Sequence, residues 1–164
     1  MNRFTLLSRR NALISLVPVN CALAFAWAEK PDSPTVSKRI AAIRSLALAL
    51  DGDAADLLAF VHDQGDWLGH AAEDRRIAFD IDSADETARE AIEMIELASP
   101  RQEAVVHKIV PLLRDLVNNV RLSLEHIKIK PSEAHSSPCI EYVEAHRDLA
   151  KHLAFQIAGI IPPR

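Results

Sequence analysis

Residues 106–127 read VHKIVPLLRDLVNNVRLSLEHI. Their apolar side chains recur at alternating steps of four and three residues, at Val106, Val110, Leu113, Val117, Val120, Leu124 and Ile127. Side chains with this spacing lie along one face of an α-helix, because a helix turns once every 3.6 residues. Pro111 falls on the opposite face, where it removes one backbone hydrogen bond and favours a bend. The stretch therefore predicts a long amphipathic helix that buries one face.

Four other segments repeat the helical spacing after residue 28, namely residues 34–50, 54–79, 84–98 and 138–160. In the second of these segments, Ala72 and Phe79 fall on the apolar face. The sequence Asp51-Gly52-Asp53 predicts a break or a kink between the first two helices. The alternative is that the first helix extends the second through that kink.

Helix boundaries are also marked by capping patterns. Residues 80–83, Asp-Ile-Asp-Ser, predict a turn, and Ser83 with Glu86 predicts a capping box at the start of the next helix. Ser99, Pro100 and Gln102 predict a second capping box. No segment after residue 28 sustains an apolar–polar alternation, so we expect no sheet. The sequence predicts an all-α, up-and-down antiparallel helical bundle of four to five helices, which forms a single domain over residues 29–164.

Residues 1–28 have the features of an export signal peptide that precedes the bundle. Three arginines come first, an apolar stretch over residues 12–26 follows, and Ala26-Trp27-Ala28 matches a cleavage site. The apolar stretch is shorter than the ~20 residues of a membrane helix, and the alternative is an uncleaved N-terminal membrane anchor. Residues 8–13, Ser-Arg-Arg-Asn-Ala-Leu, resemble a twin-arginine export signal, with the general secretory route as the other possibility. Either export route predicts a periplasmic or extracellular protein.

Charge and cysteine content restrict the possible classes of function and the possible crosslinks of the chain. The 164 residues carry a net charge of −4, which argues against a general nucleic-acid binder. Without residues 1–28 the charge is −7, and residues 51–100 alone hold −11. This acidic section is either a solvated helix face or a surface that steers a basic partner or cations. Cys139 is the one cysteine after residue 28, so an intramolecular disulfide is excluded from that part of the chain.

A candidate metal site lies on one predicted helix face. His62, Asp66, His70 and Glu73 follow one another at steps of four, four and three residues. Imidazole and carboxylate groups in this arrangement suit zinc or another divalent metal, within one chain or between subunits. The alternative is a solvated face, because these residues lie away from the apolar stripe.

His146 is a candidate cofactor ligand of a different kind. It lies in the apolar stripe of the last helix, with Cys139 and Tyr142 on the same face. It is either a packed histidine with hydrogen-bonded ring nitrogens or an axial ligand to haem or a metal inside the bundle.

These features predict an exported, non-catalytic helical-bundle protein that binds a protein partner, its own copy or a small ligand. Spare apolar residues off the main stripes, at Ile77, Leu97 and Phe155, motivate this prediction. The alternative is a metal- or haem-binding bundle, suggested by seven histidines. An enzyme is the third and least favoured possibility. No serine is surrounded by the glycine elbow that presents a serine nucleophile. We expect no nucleic-acid partner, and membrane contact only through the N-terminal segment if it is not cleaved.

Overall fold

The fold is seen in a computed structural model that describes residues 30–63, 71–129 and 133–161. Four α-helices follow one another: α1 Pro34–Asp63, α2 Ala71–Glu93, α3 Pro100–Ile129 and α4 Ser137–Ile160. A short 3₁₀ helix, Ile95–Leu97, lies between α2 and α3, and none of the described residues is in a strand. The all-α prediction is confirmed. The predicted signal peptide, residues 1–28, lies outside the described residues.

The helices pack as a bundle with alternating directions. Consecutive helices are in contact, and α4 closes against α1. The start of α1 meets the start of α3, where Gln102 Oε1 accepts a hydrogen bond from the Ser33 N–H. The end of α3 meets the start of α2, where Lys128 Nζ lies 2.6 Å from Asp74 Oδ1. We call the end of the bundle at which α1 and α3 begin the Ser33 end.

All four helices contribute to the core, and α1 and α3 each contact the three others. All seven apolar residues that define the predicted face of α3 are buried, and Pro111 is exposed on the opposite side. The helix continues through Pro111. The largest fully buried side chains of the other helices belong to the same core cluster as this face, among them Ile43, Leu50, Leu57, Ile77 and Ile157.

At the first predicted boundary, the alternative that the first helix extends the second is the one observed. α1 runs without a break through Gly52, because one glycine costs a helix only ~1 kcal/mol, which the buried neighbours Leu50 and Leu57 can offset. The predicted boundary at residues 80–83 is wrong. α2 runs through the predicted turn at residues 80–83, so Ser83 and Glu86 lie inside a helix and form no capping box. Buried Ile81, with alanines one and two turns further on, continues the apolar face across that position.

The apolar face predicted for residues 54–79 is also wrong in its second half. Ala72 is exposed and Phe79 is 69% exposed, whereas Ile77, expected off the main stripe, is 1% exposed. The prediction carried one helical phase through residues 54–79. In the structure α1 ends at Asp63 and α2 begins at Ala71, so α2 has its own phase. The exposure expected for Leu97 and Phe155 is observed, at 55% and 76%.

The acidic section is partly neutralised by ion pairs between helices. Arg39 of α1 pairs with Glu90 of α2 at 2.7 Å, and Arg121 of α3 pairs with Asp85 of α2 at 2.6 Å.

Within the part of the chain described above, no helix has both the length and the hydropathy needed to cross a membrane.

Candidate functional site

At the Ser33 end, the side-chain amide of Gln102 joins the first turns of α1 and α3. Its Oε1 accepts hydrogen bonds from the Ser33 N–H at 2.9 Å and from the Ser99 N–H at 3.0 Å. Its Nε2 donates to the Ser33 carbonyl at 2.8 Å and to Ser37 Oγ at 2.9 Å. The amide is buried, and all four of its hydrogen-bonding positions are used.

The predicted capping box of α3 is therefore confirmed. Ser99 Oγ accepts a hydrogen bond from the Gln102 N–H at 3.2 Å, and Gln102 returns one to the Ser99 N–H. Ser99 Oγ also donates to Asp32 Oδ1 at 2.5 Å. What the sequence did not reveal is that the same glutamine caps α1, since that contact joins residues 69 positions apart.

A cavity of about 410 Å³ opens beside this amide, between α1, α3 and the residue that follows α4. We call it the α1–α3 cavity. Its apolar lining comes from Ile40, Ala41, Val105 and Ile161, and its polar lining from Asp32, Ser37, Arg44, Ser45, Arg101 and Gln102. Apolar surface with a few converging polar groups, in a volume of roughly 300–1,000 Å³, is typical of small-molecule sites.

The α1–α3 cavity is lined by two basic side chains, Arg44 and Arg101, and one acidic side chain, Asp32. Arg44 is half-buried and Arg101 is exposed, and neither guanidinium has an ion-pair partner among the described residues. The carboxylate of Asp32 is held by the Ser99 hydroxyl. Arg101 lies in the first turn of α3, where the positive end of the helix dipole disfavours a cation. The two arginines are thus positioned to receive a negative charge from a ligand.

Two hydroxyl groups complete the polar lining. Ser37 Oγ accepts from Gln102, so its own proton remains available for donation. Ser45 Oγ donates to the Ala41 carbonyl at 3.3 Å, so its lone pairs remain available. Neither contact joins a hydroxyl to an imidazole or a carboxylate. The general base that activates a serine nucleophile is not among these hydrogen-bond partners.

The predicted metal ligands are only partly described. Asp66 and His70 lie outside the described residues. His62 Nε2 lies 3.2 Å from Glu144 Oε1, so this imidazole contacts α4 across the α1–α4 seam. Glu73 is exposed in the first turn of α2. Within the described ranges no three His, Cys, Asp or Glu side chains are grouped closely enough to hold a metal, and the four-residue site stays a prediction.

His146 belongs to a column of three aromatic rings. Its ring centroid lies 4.1 Å from that of Tyr142, which lies 4.6 Å from that of His126 on α3. His146 Nδ1 is 2.9 Å from the Tyr142 carbonyl, to which it donates if it carries the proton. Cys139, which lies one turn before Tyr142 and two turns before His146 on α4, is buried. The contacts of His146 are those of a packed, half-buried histidine, and its role as a cofactor ligand stays a prediction.

A buried carboxylate lies at the contact of α1 and α2. Asp53 is fully buried; its Oδ1 accepts from Arg76 Nη1 at 2.5 Å, and its Oδ2 has no partner among the described residues. The same guanidinium donates to Asp56 Oδ2 at 2.6 Å. Burial raises the pKa of Asp53 to about 6, against the attraction of Arg76 and with a further contribution from Asp80. The sequence contained a signal for this burial, because Asp53 is spaced three and four residues from the apolar residues Leu50 and Leu57 and so lies on the same helix face.

Comparison of the chain with protein-family models, with curated proteins and with solved structures gave no match. Its function is therefore inferred from its own side chains.

Proposed function

We propose that this chain is an exported, non-catalytic binding protein that holds a small organic anion in the α1–α3 cavity. The single observation that carries this proposal is the pair Arg44 and Arg101, two cations that line one cavity and have no ion pair with another described residue. Export is supported by the features of residues 1–28, an arginine-rich start, an apolar stretch and an Ala-x-Ala motif.

The lining favours an amphiphilic anion. A carboxylate, phosphate or sulfate head receives charge-assisted hydrogen bonds from the guanidinium groups and a hydrogen bond from the Ser37 hydroxyl. An apolar body lies against Ile40 and Val105, which removes its surface from water. Binding without catalysis is supported by the serine contacts, since neither hydroxyl is paired with a base.

Calorimetric titration of the full chain with decanoate tests the proposal, with 1-decanol as the uncharged ligand of equal length. We expect decanoate to bind with one-to-one stoichiometry and decanol to bind at least about tenfold more weakly, since a hydrogen bond to a charged group contributes ~1.5–3 kcal/mol. Arg44→Gln and Arg101→Gln should each weaken decanoate binding by a similar factor.

The matched control is Arg114→Gln, which removes an exposed arginine from the same helix as Arg101 but away from the cavity. It should leave decanoate binding unchanged. Equal binding of decanoate and decanol, or equal losses in all three variants, would contradict the proposal.

A further inference from the structure

A second concave surface lies on the outer side of the contact between α1 and α4. α1 contributes Leu48 and Asp51, and α4 contributes Asp148, Lys151, His152, Ala154, Phe155 and Ala158. We call this surface the α1–α4 groove; its volume is about 480 Å³. It shares no lining residue with the α1–α3 cavity, so it is independent of the proposed function.

Two large apolar side chains of the groove are exposed to solvent. Leu48 is 54% exposed and Phe155 is 76% exposed. The alanines at positions 154 and 158 are small, and they leave space next to the phenyl ring of Phe155. Exposed apolar side chains beside a depression of small residues are typical of a surface that receives a partner.

The polar groups of the groove are of both signs and incompletely paired. Asp51 Oδ1 is buried and has no hydrogen-bond partner among the described residues. Lys151 is exposed, and no described acidic side chain pairs with it. Asp148 makes one long contact, 3.8 Å from Oδ1 to Arg147 Nη1. The groove thus offers both an acidic group and a basic group to a partner.

We infer that the partner is a second copy of this chain, bound groove to groove about a two-fold axis. In such an interface each copy presents the same residues, so the surface must complement itself. The α1–α4 groove meets this condition twice. The projecting Phe155 of one copy fits the depression at Ala154 and Ala158 of the other, and Lys151 of one copy meets the acidic groups of the other.

The groove follows α4 from Asp148 to Ala158, about three helical turns, so two copies can align this part of α4 over ~15 Å. The groove has acidic side chains at Asp51 and Asp148, which would repel an anionic lipid surface. An apolar segment of another protein remains the competing occupant, and it would leave the purified chain monomeric.

Sedimentation velocity of the full chain over a range of concentrations tests the dimer. We expect a concentration-dependent dimer for the natural chain and a monomer for Phe155→Glu, because the added carboxylates would be buried next to apolar surface and next to each other. The matched control is Phe79→Glu, which changes a similarly exposed phenylalanine on α2 and should leave the dimer intact.

The charged contact is tested separately with Lys151→Glu, which should raise the dimer dissociation constant at least about tenfold. Lys108→Glu changes an exposed lysine of α3 and should have no effect. If Phe155→Glu alters the far-ultraviolet circular dichroism, Leu48→Glu replaces it as the deciding variant. A chain that is monomeric at all concentrations, or a dimer that survives both groove variants, would overturn the inference.

Discussion

Asp53 shows how one buried carboxyl group makes the stability of the bundle depend on pH. Its carboxylate loses water on folding and recovers one ion pair, to Arg76, while its second oxygen remains without a partner in the described part of the chain. The loss of water outweighs the attraction of the guanidinium, and the pKa of Asp53 rises from 3.8 to about 6. The folded chain therefore binds a proton at Asp53 more tightly than the unfolded chain does.

This difference predicts a pH-dependent effect of Asp53→Asn. The stability associated with the protonated Asp53 is fully present below about pH 4 and is lost as the pH rises through about 6, because the folded-state pKa is the higher one. A shift of this size corresponds to about 3 kcal/mol. Between pH 4 and pH 8, the free energy of unfolding of the variant should therefore gain about that amount relative to the natural chain.

Urea unfolding of both proteins at each pH unit measures the effect. Asp56→Asn is the matched control, since Asp56 contacts the same Arg76 from an exposed position. Because this variant keeps Asp53, it should lose stability between pH 4 and pH 8 as the natural chain does. A constant difference for Asp53→Asn from pH 4 to pH 8 would show that burial does not perturb this carboxyl.

Gln102 is the second residue with a large expected effect. Replacing it with alanine removes four side-chain hydrogen bonds and leaves the Ser33 and Ser99 amides without their partner. We expect a loss of about 2–4 kcal/mol in the free energy of unfolding, because buried polar groups are costly to leave unpaired. Gln156→Ala changes a half-buried residue of α4 with one contact, to His152, and should cost less than about 0.5 kcal/mol. Equal losses in denaturant titrations would refute the bridging role.

At the scale of the helix, α1 shows that local propensity is a weak determinant of continuity. Its 30 residues pass through Asp51-Gly52-Asp53, a sequence that favours a turn. Leu50, Asp53, Ala54 and Leu57 are all buried on the same side. Packing of this face against the neighbouring helices compensates for the poor helix formers between them.

Gly52→Ala should therefore stabilise the protein. A methyl group at Gly52 meets no atom within 4 Å, and alanine both favours the helix and restricts the unfolded chain, which together contribute ~0.5–1 kcal/mol. Gly159 is equally open but lies in the last turn of α4, so Gly159→Ala should contribute less. Thermal unfolding of the two variants and the natural chain compares them, and a lower melting temperature for Gly52→Ala than for the natural chain would contradict the prediction.

For the whole molecule, stability comes from helix packing without a covalent crosslink among the described residues. Cys139 is a buried, unpaired cysteine. Burial raises the pKa of its thiol, with a smaller contribution from Glu133, and so lowers its reactivity. The core instead consists of apolar side chains from all four helices, with α3 in contact with each of the others.

In a Cys21→Ser chain, Cys139 should not react with an aromatic disulfide reagent until denaturant unfolds the bundle. The melting temperature should be the same with and without reductant. A Ser137→Cys variant provides an exposed thiol at the start of the same helix and should react at once. Rapid labelling of Cys139 in the folded chain would mean that α4 opens locally.

Much of the architecture followed from the amino-acid sequence. The face of α3, the cap at Ser99 and the helical character of the segments that the structure describes were predicted correctly, because the periodicity of apolar residues and the pairing of a capping box are local properties. The α1–α3 cavity was not predicted. Arg44 and Arg101 are 57 positions apart in the sequence, and their common cavity arises from the packing of two helices.

The sequence by itself determined that this chain is a set of amphipathic helices, since each helix needs only its own residues to define a face. The tertiary structure alone decided the phase of α2, which buries Ile77 and exposes Phe79, and the burial of Asp53 beside Arg76. It also decided the placement of one glutamine against two helix starts. The physical reason is that burial, ion pairing and cavity shape depend on which neighbouring helix a side chain meets, and helical periodicity contains no information about the neighbour.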